Sequence, residues 1–237
     1  MRIIAFAAAV AALSACTPSR PRPNAVPQSA NPSSVVAMEI AFSREASEKG
    51  ENTAFRRYAA KEALVFRPQP VLFSEFSKGV TDSGAATKWQ PHKVFMSCDG
   101  RAAVTTGAWQ LNGTNGYFTT VWLWHPKDRS GSVAVERGTG GEGEWKWILR
   151  HGDVLTAPRA TPEIIETKVA SCKGQANAPI NAPDEGVQMK TMFSRDQSLN
   201  WEWQVRPDKS RTITVRLWNG VDFDDVLTDR VAKPAAM

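Results

Sequence analysis

The chain has 237 residues, 42% of them hydrophobic, which suits one large domain or a domain with an appendage. Its formal charge of +5 invites a nucleic-acid reading, but Arg2, Arg20 and Arg22 all precede residue 35, and from there on 26 basic side chains stand against 24 acidic ones. That balance argues against a phosphate-tracking surface, so no nucleic-acid partner is expected.

The first 15 residues place Arg2 ahead of an unbroken apolar run from Ile3 to Leu13 and then two small residues. This is the pattern of a secretion leader, and the run falls short of the roughly 20 apolar residues that cross a hydrocarbon core. Leu13-Ser14-Ala15-Cys16 resembles the lipobox of bacterial lipoproteins. The resemblance implies cleavage before Cys16, lipidation of its sulfur and attachment to a membrane through that lipid. An ordinary cleaved leader that leaves Cys16 a free thiol is the alternative. Cleavage after Ala15 leaves 222 residues. The location this implies is the cell envelope facing the periplasm, and Thr17, where an Asp would retain enterobacterial lipoproteins in the inner membrane, points to the outer one. In such an oxidising compartment Cys98 and Cys172 either pair or stay as separate buried thiols.

Residues 16–34 hold five prolines and no apolar period, and read as an extended tether. Ser33 or Ser34 is then expected to cap a helix with Val35, Met38, Phe42 and Ala46 on one face, ending near Gly50. Asn52 or Thr53 is expected to cap a second helix through AFRRYAAKEA, before a strand in LVFRPQP (64–70) that two prolines cut off. Extended runs at 88–97 and 101–110 flank Cys98-Asp99-Gly100, a hairpin turn. Asn112-Gly113 and Asn115-Gly116 mark the next turn, followed by YFTTVWLWH (117–125), a strand apolar enough to be covered on both faces. SVAVE (132–136) reads as a short strand, and WKWILRHGD (145–153) as one that puts Trp145, Trp147, Leu149 and His151 on a single face. Residues 156–198 lose regularity, with one short element expected near Glu163–Cys172. In 199–237, LNWEWQVR and RTITVRLW form a hairpin across Pro207–Ser210 that must pack its apolar face on the main sheet. Helices followed by a meander predict an α+β fold, helices packed on an antiparallel sheet.

This order, with Glu48-Lys49-Gly50, Ala54-Phe55, Thr105-Thr106-Gly107 and Trp145-Lys146-Trp147 near Gly152-Asp153, resembles the SnoaL-like and DUF4440 branch of the NTF2-like (cystatin-like) superfamily over residues 35–155. The resemblance implies a cone, in which a curved antiparallel sheet wraps against N-terminal helices around a pocket, here with a C-terminal hairpin extension. A homodimer is among the partnerships it leaves open.

Enzymes of that superfamily, isomerases, dehydratases and cyclases of the ketosteroid isomerase type, set an Asp or His in the cone as general base. The matching residues are His151 and Asp153, with Tyr58 and Tyr117 as donors; either acid–base group works only if its surroundings tune its pKa. Lys61-Glu62 and Arg150 depart from the acidic pattern of such relatives, which weakens the catalytic carry-over and favours Asp153 as an end cap and His151 as a satisfied core or rim residue. Gly138 to Gly143 spell GxGxxG, but a strand follows instead of the helix a dinucleotide needs, so the stretch reads as a hairpin loop. Three isolated histidines and no GxSxG elbow indicate neither a metal site nor a serine hydrolase, and no cofactor is expected. Nine tryptophans against two tyrosines are mostly core, with a few free to stack on a ligand. The expected lining is Tyr58, Trp109, Tyr117, Trp122, Trp147 and His151. The leading expectation is an envelope lipoprotein binding a small apolar or amphipathic molecule; a His151- or Asp153-dependent enzyme and an envelope scaffold are the alternatives.

Overall fold

The computed structural model describes residues 30–82, 84–126, 143–177 and 182–234. The leader, Cys16, the tether up to residue 29, SVAVE and the glycine-rich loop up to Glu142 lie outside the described residues.

Helix α1 (Pro32–Lys49) begins two or three residues earlier than serine caps suggest, taking in the last three residues of the expected tether. Asn31 is its cap, accepting from the Ser33 N–H at 3.2 Å, and Pro32 takes the first helical position, where a missing N–H costs nothing. Val35, Phe42 and Ala46 are buried with Glu39, and the helix stops at Gly50, whose φ of +102° few other residues adopt. Helix α2 (Glu51–Tyr58) is capped from 30 residues away. The Asp82 carboxylate accepts from the N–H groups of Asn52 (2.6 Å) and Thr53 (3.2 Å).

The helix expected to run on to Ala63 ends at Tyr58 instead, because Ala59–Phe66 form strand β1. The local helical preference of AAKEA yields to parallel pairing with strand β6 (Gly143–Leu155), which buries Ala63. The remaining elements of the large sheet are β2 (Pro70–Leu72), β3 (Lys88–Met96), β4 (Ala102–Leu111), β5 (Thr114–Pro126) and β7 (Glu166–Val169), with the short helix α3 (Phe73–Phe76) between β2 and β3. Their order is β2-β1-β6-β5-β4-β3-β7, antiparallel except for the β1–β6 and β3–β7 pairs. Only one of the two Asn-Gly pairs makes the β4–β5 turn. Asn112 and Gly113 both have positive φ (48° and 79°), as a two-residue hairpin requires, whereas Gly116 lies inside β5 opposite Trp109.

The expected C-terminal hairpin is the middle of a second sheet. Strands β9 (Leu199–Val205) and β10 (Arg211–Trp218) are flanked by β8 (Gln188–Phe193), from the stretch read as irregular, and by β11 (Phe223–Val231). The fold is α+β in three layers, with helices α1 and α2 on one face of the large sheet and the four-stranded sheet on the other. The helix-side core holds Phe42, Trp89, Phe118, Trp122, Trp145 and Trp147, and the inter-sheet core holds Phe95, Val121, Leu149, Trp201, Trp203 and Val215. Among the described residues no helix is long and apolar enough to cross a membrane.

A bulge in β6 decides what each core receives. Val121 pairs with Leu149 and Trp122 with Trp147, so Ile148 is an extra residue. Trp145 and Trp147 therefore face the helices, while Leu149 and His151 face the second sheet, in place of the single face expected for all four. A disulfide joins Cys98, in the β3–β4 turn, to Cys172, just past β7, with Cα atoms 5.3 Å apart. The same turn is held to the second sheet: Cys98 N–H donates to Ser198 Oγ (2.8 Å) and Asp99 N–H to the Asp196 carboxylate (2.8 Å).

Candidate functional site

The parallel register of β1 with β6 extends to Leu64 opposite Leu149. Beyond it the residues that follow on the two strands, Val65-Phe66-Arg67 and Arg150-His151-Gly152, line opposite sides of a cavity of about 580 Å³. Its size is typical of small-molecule sites, roughly 300 to 1,000 Å³. Phe55 of α2, Phe73 and Phe76 of α3, Trp109 of β4 and Phe118 of β5 make most of the apolar wall. Glu51, Asn52, Thr87, Tyr117, Arg67, Arg150, His151 and Arg211 add polar groups.

His151 is 4% exposed, and its protonation pattern follows from its neighbours. The Arg211 Nε–H donates to His151 Nδ1 at 2.9 Å, so the imidazole proton sits on Nε2, which lies 3.3 Å from the Tyr117 hydroxyl and 4.0 Å from Asp229. Burial, reinforced by the Arg211 charge, holds the His151 pKa well below its ordinary value of 6.5. Burial raises the Tyr117 pKa, and the Asp229 and Asp153 charges push the same way. Both rings are therefore neutral at physiological pH. Burial also raises the pKa of Asp229 in β11, against the Thr119 hydroxyl (2.6 Å) and the charge of Arg159, whose guanidinium lies 3.8 Å from it and 4.5 Å from the Tyr117 ring centre.

Arg150, adjacent to His151 in β6, points to the opposite face. It lies 3.6 Å from Glu39 of α1, donates to Thr120 Oγ1 (2.9 Å) and is packed among Phe42, Phe55, Trp89 and Phe118, with ring centres 4.8 to 5.4 Å away. Burial lowers its pKa and the Glu39 charge opposes that shift, but a guanidinium stays protonated. Glu39, fully buried, also accepts from Trp89 Nε1 (2.7 Å), Trp122 Nε1 (2.9 Å) and Thr105 Oγ1 (2.6 Å).

Of the residues singled out in the sequence, Trp109, Tyr117 and His151 line the cavity. Trp122 and Trp147 do not. Both are 0% exposed core residues, their indole N–H groups spent on Glu39 and on the Phe55 carbonyl. Tyr58 donates to Glu45 (3.1 Å) and packs on Phe42 and Trp122, away from the lining. Asp153 turns back on its own strand, accepting from the Val154 N–H, and is no part of the wall. The helix-borne and α3 phenylalanines and Arg67 carried no distinguishing signal in the sequence. Arg211 did: in RTITVRLW it is in phase with Ile213, Val215 and Leu217, a charge on an apolar face, and it is 6% exposed. Among the described residues no group of His, Cys, Asp or Glu is placed to hold a metal ion. No family model matches the chain, and no curated protein or solved structure matches it either.

Proposed function

We propose that this protein is an envelope lipoprotein, anchored through Cys16, whose NTF2-like domain binds a small apolar or amphipathic molecule in the cavity between β1 and β6. The observation that carries the reading is an aromatic cavity of about 580 Å³ whose titratable wall groups are fixed rather than poised for proton transfer. A general base needs a free lone pair facing substrate. The one lone pair of neutral His151 receives the Arg211 Nε–H, and Asp153 is not in the wall, so neither residue is placed to abstract a proton. The NTF2-like assignment is supported by the order of two helices followed by strands and by the position of the cavity against the second of those helices. The anchor is supported by Leu13-Ser14-Ala15-Cys16.

Binding is tested by titrating the full chain with a panel of polycyclic, acyl-chain and glycan compounds while following tryptophan fluorescence, since Trp109 lines the cavity. Saturable change with the apolar members and none with the glycans is expected; no response to any compound overturns the reading. The anchor is tested by incorporation of labelled acyl chain in the bacterial envelope, which Cys16→Ala must abolish.

A further inference from the structure

Resting on the binding reading, we propose that the ligand is an amphipathic carboxylate, its head group received by the guanidinium groups of Arg211 and Arg67 and its apolar body by the phenylalanine wall. The pairing of buried charge singles out Arg211. Three other arginines packed into the described structure each have a carboxylate within 4.0 Å: Arg150 has Glu39, Arg159 has Asp229, and Arg216 has Glu202 and Asp225. Arg211 is 6% exposed and lines the cavity, yet among the described residues no carboxylate comes within that distance of it. Its hydrogen bonds go to neutral acceptors: His151 Nδ1 (2.9 Å), the Pro68 carbonyl (3.3 Å) and the Gly152 carbonyl (3.3 Å). A guanidinium has five N–H donors and does not give up its charge, so these contacts hold Arg211 in place and leave its charge without a carboxylate in contact, Asp153 acting on it only from farther off.

Arg67 strengthens the inference. It is an exposed residue of the same cavity wall, and among the described residues it also has no carboxylate within 4.0 Å. Burial lowers the Arg211 pKa; the Asp153 charge opposes that shift from beyond 4.0 Å and the Arg67 charge adds to it, so two cations share one site. Each guanidinium lies over a phenylalanine of the wall, Arg211 over Phe66 (4.8 Å) and Arg67 over Phe76 (4.5 Å), which sets cationic groups directly beside apolar surface. The single acid of the lining, Glu51, is engaged by the Thr87 N–H (3.0 Å) and hydroxyl (2.9 Å). Two guanidinium forks suit a planar carboxylate, which accepts paired N–H bonds.

The test is calorimetric titration of the full chain with dodecanoate and dodecyltrimethylammonium, each below its micelle concentration, and dodecanol below its solubility limit, repeated on Arg211→Gln and Arg67→Gln. Dodecanoate is expected to bind about tenfold or more tighter than dodecanol and the cation weakest, with each variant losing about tenfold for dodecanoate and nothing for dodecanol. Equal affinity for dodecanoate and dodecanol overturns the carboxylate while leaving the apolar pocket standing. Binding of none of the three removes the pocket as well. If Arg211→Gln loses its native circular dichroism, the exposed Arg67 decides: unchanged dodecanoate affinity in Arg67→Gln overturns the proposal.

Discussion

Glu39 and Arg150 form the most consequential buried contact in the helix-side core, and breaking it gives a quantitative test of the architecture under the cavity. Glu39→Gln keeps the volume and one carbonyl oxygen but removes the charge, leaving a guanidinium with 11% side-chain exposure without its counter-ion. Losing one partner of a buried pair costs about 3–5 kcal/mol. Three donors, Trp89 Nε1, Trp122 Nε1 and Thr105 Oγ1, then compete for a single acceptor oxygen where two were available, although Trp122 Nε1 retains Thr105 Oγ1 at 3.1 Å. An unsatisfied buried donor adds about 1–3 kcal/mol, so a total of about 4–8 kcal/mol is expected, a large part of the roughly 5–15 kcal/mol that holds such a domain folded. Arg150→Met removes the cation and leaves Glu39 with its three neutral donors, and combining it with Glu39→Gln removes the uncompensated charge. The double variant should therefore be more stable than the sum of the single losses implies, by about 2 kcal/mol. Urea unfolding followed by far-ultraviolet circular dichroism gives all four stabilities. Additivity within about 0.5 kcal/mol, or a Glu39→Gln loss below about 1 kcal/mol, would refute a coupled buried pair.

Two further outcomes concern the large sheet, at its disulfide and at His151. The Cys98–Cys172 bond closes a loop spanning 74 positions, so the double Cys→Ala variant, or reduction, should lower unfolding free energy by about 4 kcal/mol; an unchanged urea midpoint under reductant contradicts this. His151 has a folded pKa depressed below 6.5 by burial and then by Arg211, so the unfolded chain takes up the proton first as pH falls. Its contribution is complete above pH 6.5 and is lost below it, at up to about 1.4 kcal/mol per pH unit. His151→Gln should flatten the fall in stability between pH 7.5 and 5 relative to wild type, and identical slopes would sink the argument.

Features set by near neighbours in the chain are the ones its sequence states. The stop at Gly50, the turn at Cys98-Asp99-Gly100 and the alternation of Leu199, Trp201, Trp203 and Val205 all depend on residues within one element, and the helices-then-strands order carries the α+β class with them. What the sequence conceals is set by distant pairing. Asp82 caps a helix 30 residues earlier, β1 starts at Ala59 because β6 pairs with it, and β8 and β7 have too little alternation to register before their partners are placed. The cavity wall divides in the same way. Tyr117 and His151 lie in strands with plain patterns, whereas Phe55, Phe73 and Arg67 come together only when β1 parts from β6. Trp122 and Trp147 are the converse, aromatics with the look of a ligand wall whose indole N–H groups find acceptors in the core.

The bulge at Ile148 explains why one strand can serve both structure and site. In a regular strand, with Ile148 taking its own place in the alternation, Trp147 and His151 would share a face, and His151 would meet the helices instead of Arg211. With it, adjacent residues of β6 hold two arginine environments of opposite character: Arg150 itself is neutralised by Glu39 inside the helix-side core, while His151 offers Arg211 a neutral acceptor on the inter-sheet side. A carboxylate in place of His151 would satisfy Arg211 internally and remove its attraction for an anion. A neutral imidazole fixes the guanidinium without quenching its charge, and this links the low pKa of His151 to the carboxylate ligand proposed for the cavity.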